Sequence, residues 1–210
     1  MTTILTYPKI MKLLVNRVFK YSRIFWVCLS ICLICSLPVH MHAQRNVFIR
    51  AADGSVLDQV EQSGGKFYDQ GVERDAYAIF KKYGFTHIRL KLWHTPAEPY
   101  NGLPRVLEMA ARANSLGLGI ILDFHYSDTW ADPGHQTKPS AWTDLPFNTL
   151  VDSVKNYTGY VISKMQAQET LPDIVQVGNE ITCGMLWDDG RVCDPWNTDE
   201  QWQNLASLIN

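Results

Sequence analysis

Asn179 and Glu180 close the run Ile174-Val175-Gln176-Val177-Gly178, an apolar segment of strand length that ends on a glycine, an amide and a carboxylate. The reactive groups of a parallel α/β sheet sit at the carboxyl ends of buried strands, which is where this carboxylate falls. Side chains alternate along a strand. Regular pairing therefore puts Ile174, Gln176, Gly178 and Glu180 on one face, and Asn179 joins Glu180 only through a local twist or bulge. Taken alone, the pair also reads as a loop carboxylate after a core strand. A second unusual stretch runs from Asp123 to Pro133 (Asp-Phe-His-Tyr-Ser-Asp-Thr-Trp-Ala-Asp-Pro) and on through Lys138-Pro139 to Ala141-Trp142, crowding aromatics and carboxylates into one long loop. Long loops without repeats carry function more often than structure.

Carboxylates beside tryptophans suit carbohydrate, because sugar rings offer apolar faces that stack on aromatics and hydroxyl rims that want Asp, Asn, His and Arg. Cleaving a glycosidic bond needs two carboxyl groups, one of them protonated to donate to the leaving oxygen. Competing chemistries lack their motifs: there is no Walker loop, Gly-rich fingerprint after a strand, HExxH pair or nucleophile elbow. His87, His94, His125 and His135 are scattered, and no close pair of ligands shares a helix or hairpin as a zinc site requires. The 210 residues carry a formal charge of -2, with 46% apolar and 19% charged residues. That composition describes a soluble globular chain without the basic surplus of a nucleic-acid binder.

The amino terminus is organised differently. Residues 24–37 form an apolar run preceded by Lys9, Lys12, Arg17, Lys20 and Arg23 and followed by Pro38 and Ala43-Gln44. The run is shorter than the roughly 20 residues that span a bilayer, so residues 1–43 read as a signal peptide cut after Ala43, with Met11 the more ordinary start. The expected location is secreted or periplasmic, with no membrane attachment after cleavage. A lipoprotein signal at Cys32 or Cys35 fits poorly, since isoleucine precedes each. Cys28, Cys32 and Cys35 leave with the leader. Cys183 and Cys193 remain, either as a disulfide pinning the loop after Glu180 or as two free thiols.

Residues 44–210 repeat a strand followed by an amphipathic stretch, the pattern of β/α units and a parallel sheet. Strands are expected at about 47–52, 86–92, 119–125 and 174–179. In Ile88-Arg89-Leu90-Lys91-Leu92-Trp93 the polar residues alternate with aliphatics, so one face of that strand is polar. Helices are expected over 73–83 (Ala76, Ile79, Phe80 and Tyr83 inward, Gly84 as cap), 104–116 (Val106, Leu107, Ala110 and Ala113 inward) and 147–168 (Leu150, Val151, Val154, Tyr157, Val161, Ile162 and Met165 inward). Thr198 with Gln201 resembles a capping box opening a last helix.

The stretches 123–133, Val177-Gly178-Asn179-Glu180, Gly184-Met185-Leu186-Trp187, Arg50-Ala51-Ala52-Asp53, 61–68 and 88–93 together resemble glycoside hydrolase family 53, the endo-β-1,4-galactanases. The resemblance implies an α/β fold, a (β/α)8 TIM barrel of the large retaining clan, of which this chain holds about the first four units. It implies that Glu180 is the acid/base and that Asn179 bonds the sugar hydroxyl next to the reacting carbon. Arg89 would lie under the nucleophile and hold it ionised, while Asp53, Asp123, His125 and Trp130 line sugar subsites. Trp93 and Trp187 are either further sugar contacts or packed rim aromatics. Lys91 reads as an inward charge paired with a carboxylate in preference to a substrate contact.

The family's nucleophile is a glutamate at the end of the seventh strand, and no residue here matches it by motif. The chain is therefore expected to be a fragment of a longer, monomeric gene product and inactive alone, with a secreted galactan-binding half-barrel as the alternative. Its partner would be the β-1,4-galactan side chains of pectin or arabinogalactan, with neither nucleic acid nor membrane. No cofactor is expected in this part, and any calcium would belong to the missing half. A half-barrel has two open sheet edges, so the chain alone is expected to self-associate.

Overall fold

The computed structural model describes residues 48–210. The leader, its three cysteines and the Asn46-Val47 start of the first expected strand lie outside the described residues. Within them, β1 (Ala51–Asp53), β4 (His87–Leu92), β5 (Gly119–Phe124) and β6 (Ile174–Val177) form a four-stranded parallel sheet in the order β1-β4-β5-β6. The helices α2 (Ala76–Lys82), α3 (Leu103–Ser115) and α4 (Phe147–Ala167) connect successive strands, and α5 (Asp199–Ile209) follows β6.

The two faces of the sheet follow from alternation. Ile88, Leu90, Leu92, Ile120, Leu122 and Phe124 are at most 2% exposed and form the core with Val106, Ala110 and Ala113 of α3 and Leu150, Val154, Val161 and Met165 of α4. Burying such side chains contributes roughly 1.5–3 kcal/mol each. Asp53 pairs in register with Arg89, and Lys91 with Asp123 and in turn Gln176, so all five polar residues occupy the opposite face. That face positions the candidate site.

Three expectations need correction, and one element went unexpected. Residues 73–83 are not one helix: β2 (Phe67–Asp69) and β3 (Val72–Arg74) form an antiparallel hairpin, and α2 begins only after Asp75, whose carboxylate caps Ala78 N at 2.9 Å. In α2 the fully buried aromatic is Tyr77, whereas Tyr83 is exposed with its hydroxyl on Asp69. A short helix α1 (Leu57–Gln62) was not legible either, having no side-chain cap. Finally, β6 is not covered on both faces. It is an edge strand of the described sheet, and Ile174 and Val175 are each 38% exposed.

The last helix starts as its cap requires, with Thr198 Oγ1 accepting from Gln201 N at 3.2 Å. The reciprocal bond of a capping box is not made, since Gln201 Oε1 is buried without a partner among the described residues.

Candidate active site

Arg89 reaches along its face of the sheet and gathers the polar residues of three other strands. Its Nη1 donates to Asp53 Oδ2 at 2.7 Å, and its Nη2 to Asp123 Oδ2 at 2.6 Å, Asn179 Oδ1 at 2.9 Å and Gln176 Oε1 at 3.3 Å. Asp123 is fully buried, and its other oxygen, Oδ1, has no hydrogen-bond partner among the described residues. Burial pushes the Asp53 carboxyl up, but bonds from Ser55 and Arg89 outweigh it and hold the group below the usual carboxylate value.

Asn179 joins this network because the backbone turns sharply after β6. Gly178 has φ +80° and Glu180 lies in the left-handed region at φ +49°. The expected twist is therefore present, and Gly178 is where the chain accommodates it without steric cost. A Cβ at Gly178 would meet Ile181 Cγ2 at 2.6 Å. Asn179 Nδ2 donates to Ala131 O at 2.7 Å, Gln136 Nε2 donates to Asn179 O at 2.8 Å, and Gln176 Nε2 lies 3.3 Å from Asn179 Oδ1. The side-chain amide is thereby held by Arg89, Gln176 and Ala131, and the backbone carbonyl by Gln136. Glu180, next in the chain, is exposed and enters no ion pair among the described residues.

His125 follows β5 and is buried. Its Nδ1 accepts from Trp93 Nε1 at 3.2 Å and from Ala131 N at 3.1 Å, which leaves the ring hydrogen on Nε2, 3.0 Å from Asp123 Oδ2 but without hydrogen-bond geometry to it. Trp130 stands edge-on to His125, with centroids 5.4 Å apart, and is 47% exposed. Lys91 overturns its expected pairing. No carboxylate lies within ion-pair distance of its ammonium among the described residues; Nζ sits over the Trp130 ring, 4.4 Å from the centroid. Burial pushes the Lys91 pKa down, and Asp53 and Asp123 partly oppose this.

Trp187 lies outside this network. Its indole donates to Cys183 O at 3.0 Å and its ring carries the Arg191 guanidinium at 4.1 Å. It belongs to the loop closed by the Cys183–Cys193 disulfide and the β7 (Gly184–Met185) and β8 (Gly190–Arg191) pair. That loop is joined to the 125–146 loop by Trp187 N on Gln136 O at 2.8 Å and by an ion pair of Lys138 with Asp189.

Sequence reasoning passed over Gln176 and Gln136. Gln176 had a signal, as the one polar residue of an apolar run on the face that alternation assigns to Glu180. Gln136, 2% exposed, had none, because nothing in its neighbours marks a loop amide as buried.

Residues 49–210 match the family model described as glycosyl hydrolase family 53. The arabinogalactan endo-β-1,4-galactanase of Thermothelomyces thermophilus is 37% identical over 162 residues, covering 77% of this chain and 46% of that protein. The enzyme of the same name from Cellvibrio japonicus is 33% identical over 170 residues, covering 80% and 44%. Among solved structures, a family 53 catalytic domain from Ignisphaera aggregans superposes with a TM-score of 0.71 at 40% identity, covering 80% of this chain and 47% of that one. The chain spans about half the length of the curated relatives it matches. Its parallel sheet is accordingly part of a (β/α)8 barrel.

Proposed function

The chain belongs to glycosyl hydrolase family 53, and from that premise we propose that it forms the first half of a secreted endo-β-1,4-galactanase that cleaves β-1,4-galactan with retention of configuration. The observation that carries this reading is the Arg89 hub, which holds Asn179 against the polar sheet face immediately before an exposed Glu180. Glu180 serves as the general acid that protonates the leaving oxygen and then as the base that activates water. Asn179, immobilised by Ala131, Gln136 and Arg89, presents its amide to the sugar hydroxyl beside the reacting carbon.

Trp130 supplies a stacking surface. Asp123, fully buried with its Oδ1 unpartnered among the described residues, backs this face through Arg89. Retention requires a second carboxyl about 5 to 5.5 Å from the first. Asp53 and Asp123 are assigned to sugar subsites instead, as the family resemblance implies, with Arg89 pairing with both on the same sheet face. We therefore assign the nucleophile to a later barrel strand. Export rests on the leader-like residues 1–43.

Proton NMR of galactan digestion by the full-length gene product tests this. The first product is expected as the β-anomer; initial α-anomer, or binding without cleavage, would contradict it, the latter favouring a non-catalytic galactan-binding protein.

A further inference from the structure

We propose that Lys91 is a positioning residue that fixes the Trp130 ring as a pre-set stacking platform for the sugar. The proposal rests on the carbohydrate reading of Trp130 given above. Lys91 is only 6% exposed and shares its sheet face with Asp53, Arg89 and Asp123. A buried ammonium is costly unless something compensates it. Asp53 and Asp123 bond to Arg89 and offset only part of that cost through space, and the group in direct contact with the ammonium is the π-face of Trp130 at 4.4 Å.

The contact matters because of what else holds that ring. Trp130 sits in a loop and is half exposed, with an edge-on approach to His125 as its other aromatic contact. The following residue is anchored on both sides, since Ala131 N donates to His125 and Ala131 O accepts from Asn179. The backbone is thus tied to the residue that precedes Glu180, while the indole is oriented by the ammonium over its face. A ring oriented before the ligand arrives loses less freedom on binding, and affinity gains by that saving. The exposed remainder of the ring is left for the sugar.

A double-mutant cycle on the full-length gene product, read by calorimetric Kd for a β-1,4-galacto-oligosaccharide, tests the assignment. Lys91→Met should weaken binding about fivefold to tenfold, between the sizes of an exposed and a fully desolvated cation–π contact, and Lys91→Arg should restore it to within about twofold of wild type. Trp130→Ala should weaken binding at least as much, and adding Lys91→Met to it should change nothing further. Should Lys91→Met fail to melt cooperatively, Lys91→Gln carries the same cycle. An equal loss from the Lys91 change in both backgrounds would overturn the inference and leave the platform reading standing. Wild-type affinity in Trp130→Ala would overturn both.

Discussion

Arg89 is the side chain on which the polar face depends, because one guanidinium satisfies Asp53, Asp123, Gln176 and Asn179. Removing it strands the fully buried Asp123 charge, so Arg89→Met should cost about 3–5 kcal/mol in urea unfolding. Arg89→Lys should rescue little of this, since a point ammonium cannot reproduce the planar fork. Acid should act through Asp53 and Asp75. Burial pushes both up, but bonds from Ser55 and Arg89 to Asp53, and from Arg112 and Ala78 to Asp75, more than offset it and hold both below the ordinary value of 3.8. Their contribution is present in full above that ordinary value and is lost as pH falls through the lower folded values. Denaturation midpoints should thus hold from neutrality to about pH 5 and fall below about pH 4, and a fall beginning near pH 6 would contradict this. Arg89 and Lys91 were legible as one polar strand face by alternation, whereas Asp53 and Asp123 were placed beside them only by the family resemblance. Lys91's true partner was not legible, because a cation over a ring leaves no mark in spacing.

At the level of elements, the turn after β6 and the loop beyond it govern the geometry of Asn179-Glu180. Gly178→Ala forces a Cβ into a left-handed conformation costing about 1–2 kcal/mol and into Ile181. Galactan hydrolysis by the full-length protein should therefore drop more steeply than thermal stability, and the two should be compared on one preparation. The disulfide closes a short ring, with a sequence separation of 10. Cys183→Ser should cost about 2–3 kcal/mol by loop closure, measured by denaturant titration against Cys193→Ser, and the two single variants should agree. The long helices α3 and α4 and the strands β4 and β5 were readable because their apolar period repeats over enough residues to stand out. The hairpin β2–β3, three residues a side, carries too little pattern, and its Glu73-Arg74 was absorbed into the following helix. β6 read as buried because its residues are apolar, but burial depends on neighbours that composition does not report.

On the scale of the molecule, four parallel strands with β1 and β6 at the edges form part of a barrel. Unpaired strand edges, with Ile174 and Val175 exposed beside one of them, favour pairing with another chain. Residues 44–210 expressed alone should sediment as a self-associated species, and a cooperatively melting monomer would contradict this. The assignment of Glu180 as acid/base is tested most directly by Glu180→Gln in the full-length protein. The variant should bind galactan but lose its hydrolysis, retain activity toward an aryl galactoside whose leaving group needs no proton, and be accelerated on that substrate by azide, which attacks the glycosyl-enzyme without a general base. Galactan hydrolysis within a few-fold of wild type, or equal loss on both substrates with no response to azide, would contradict it.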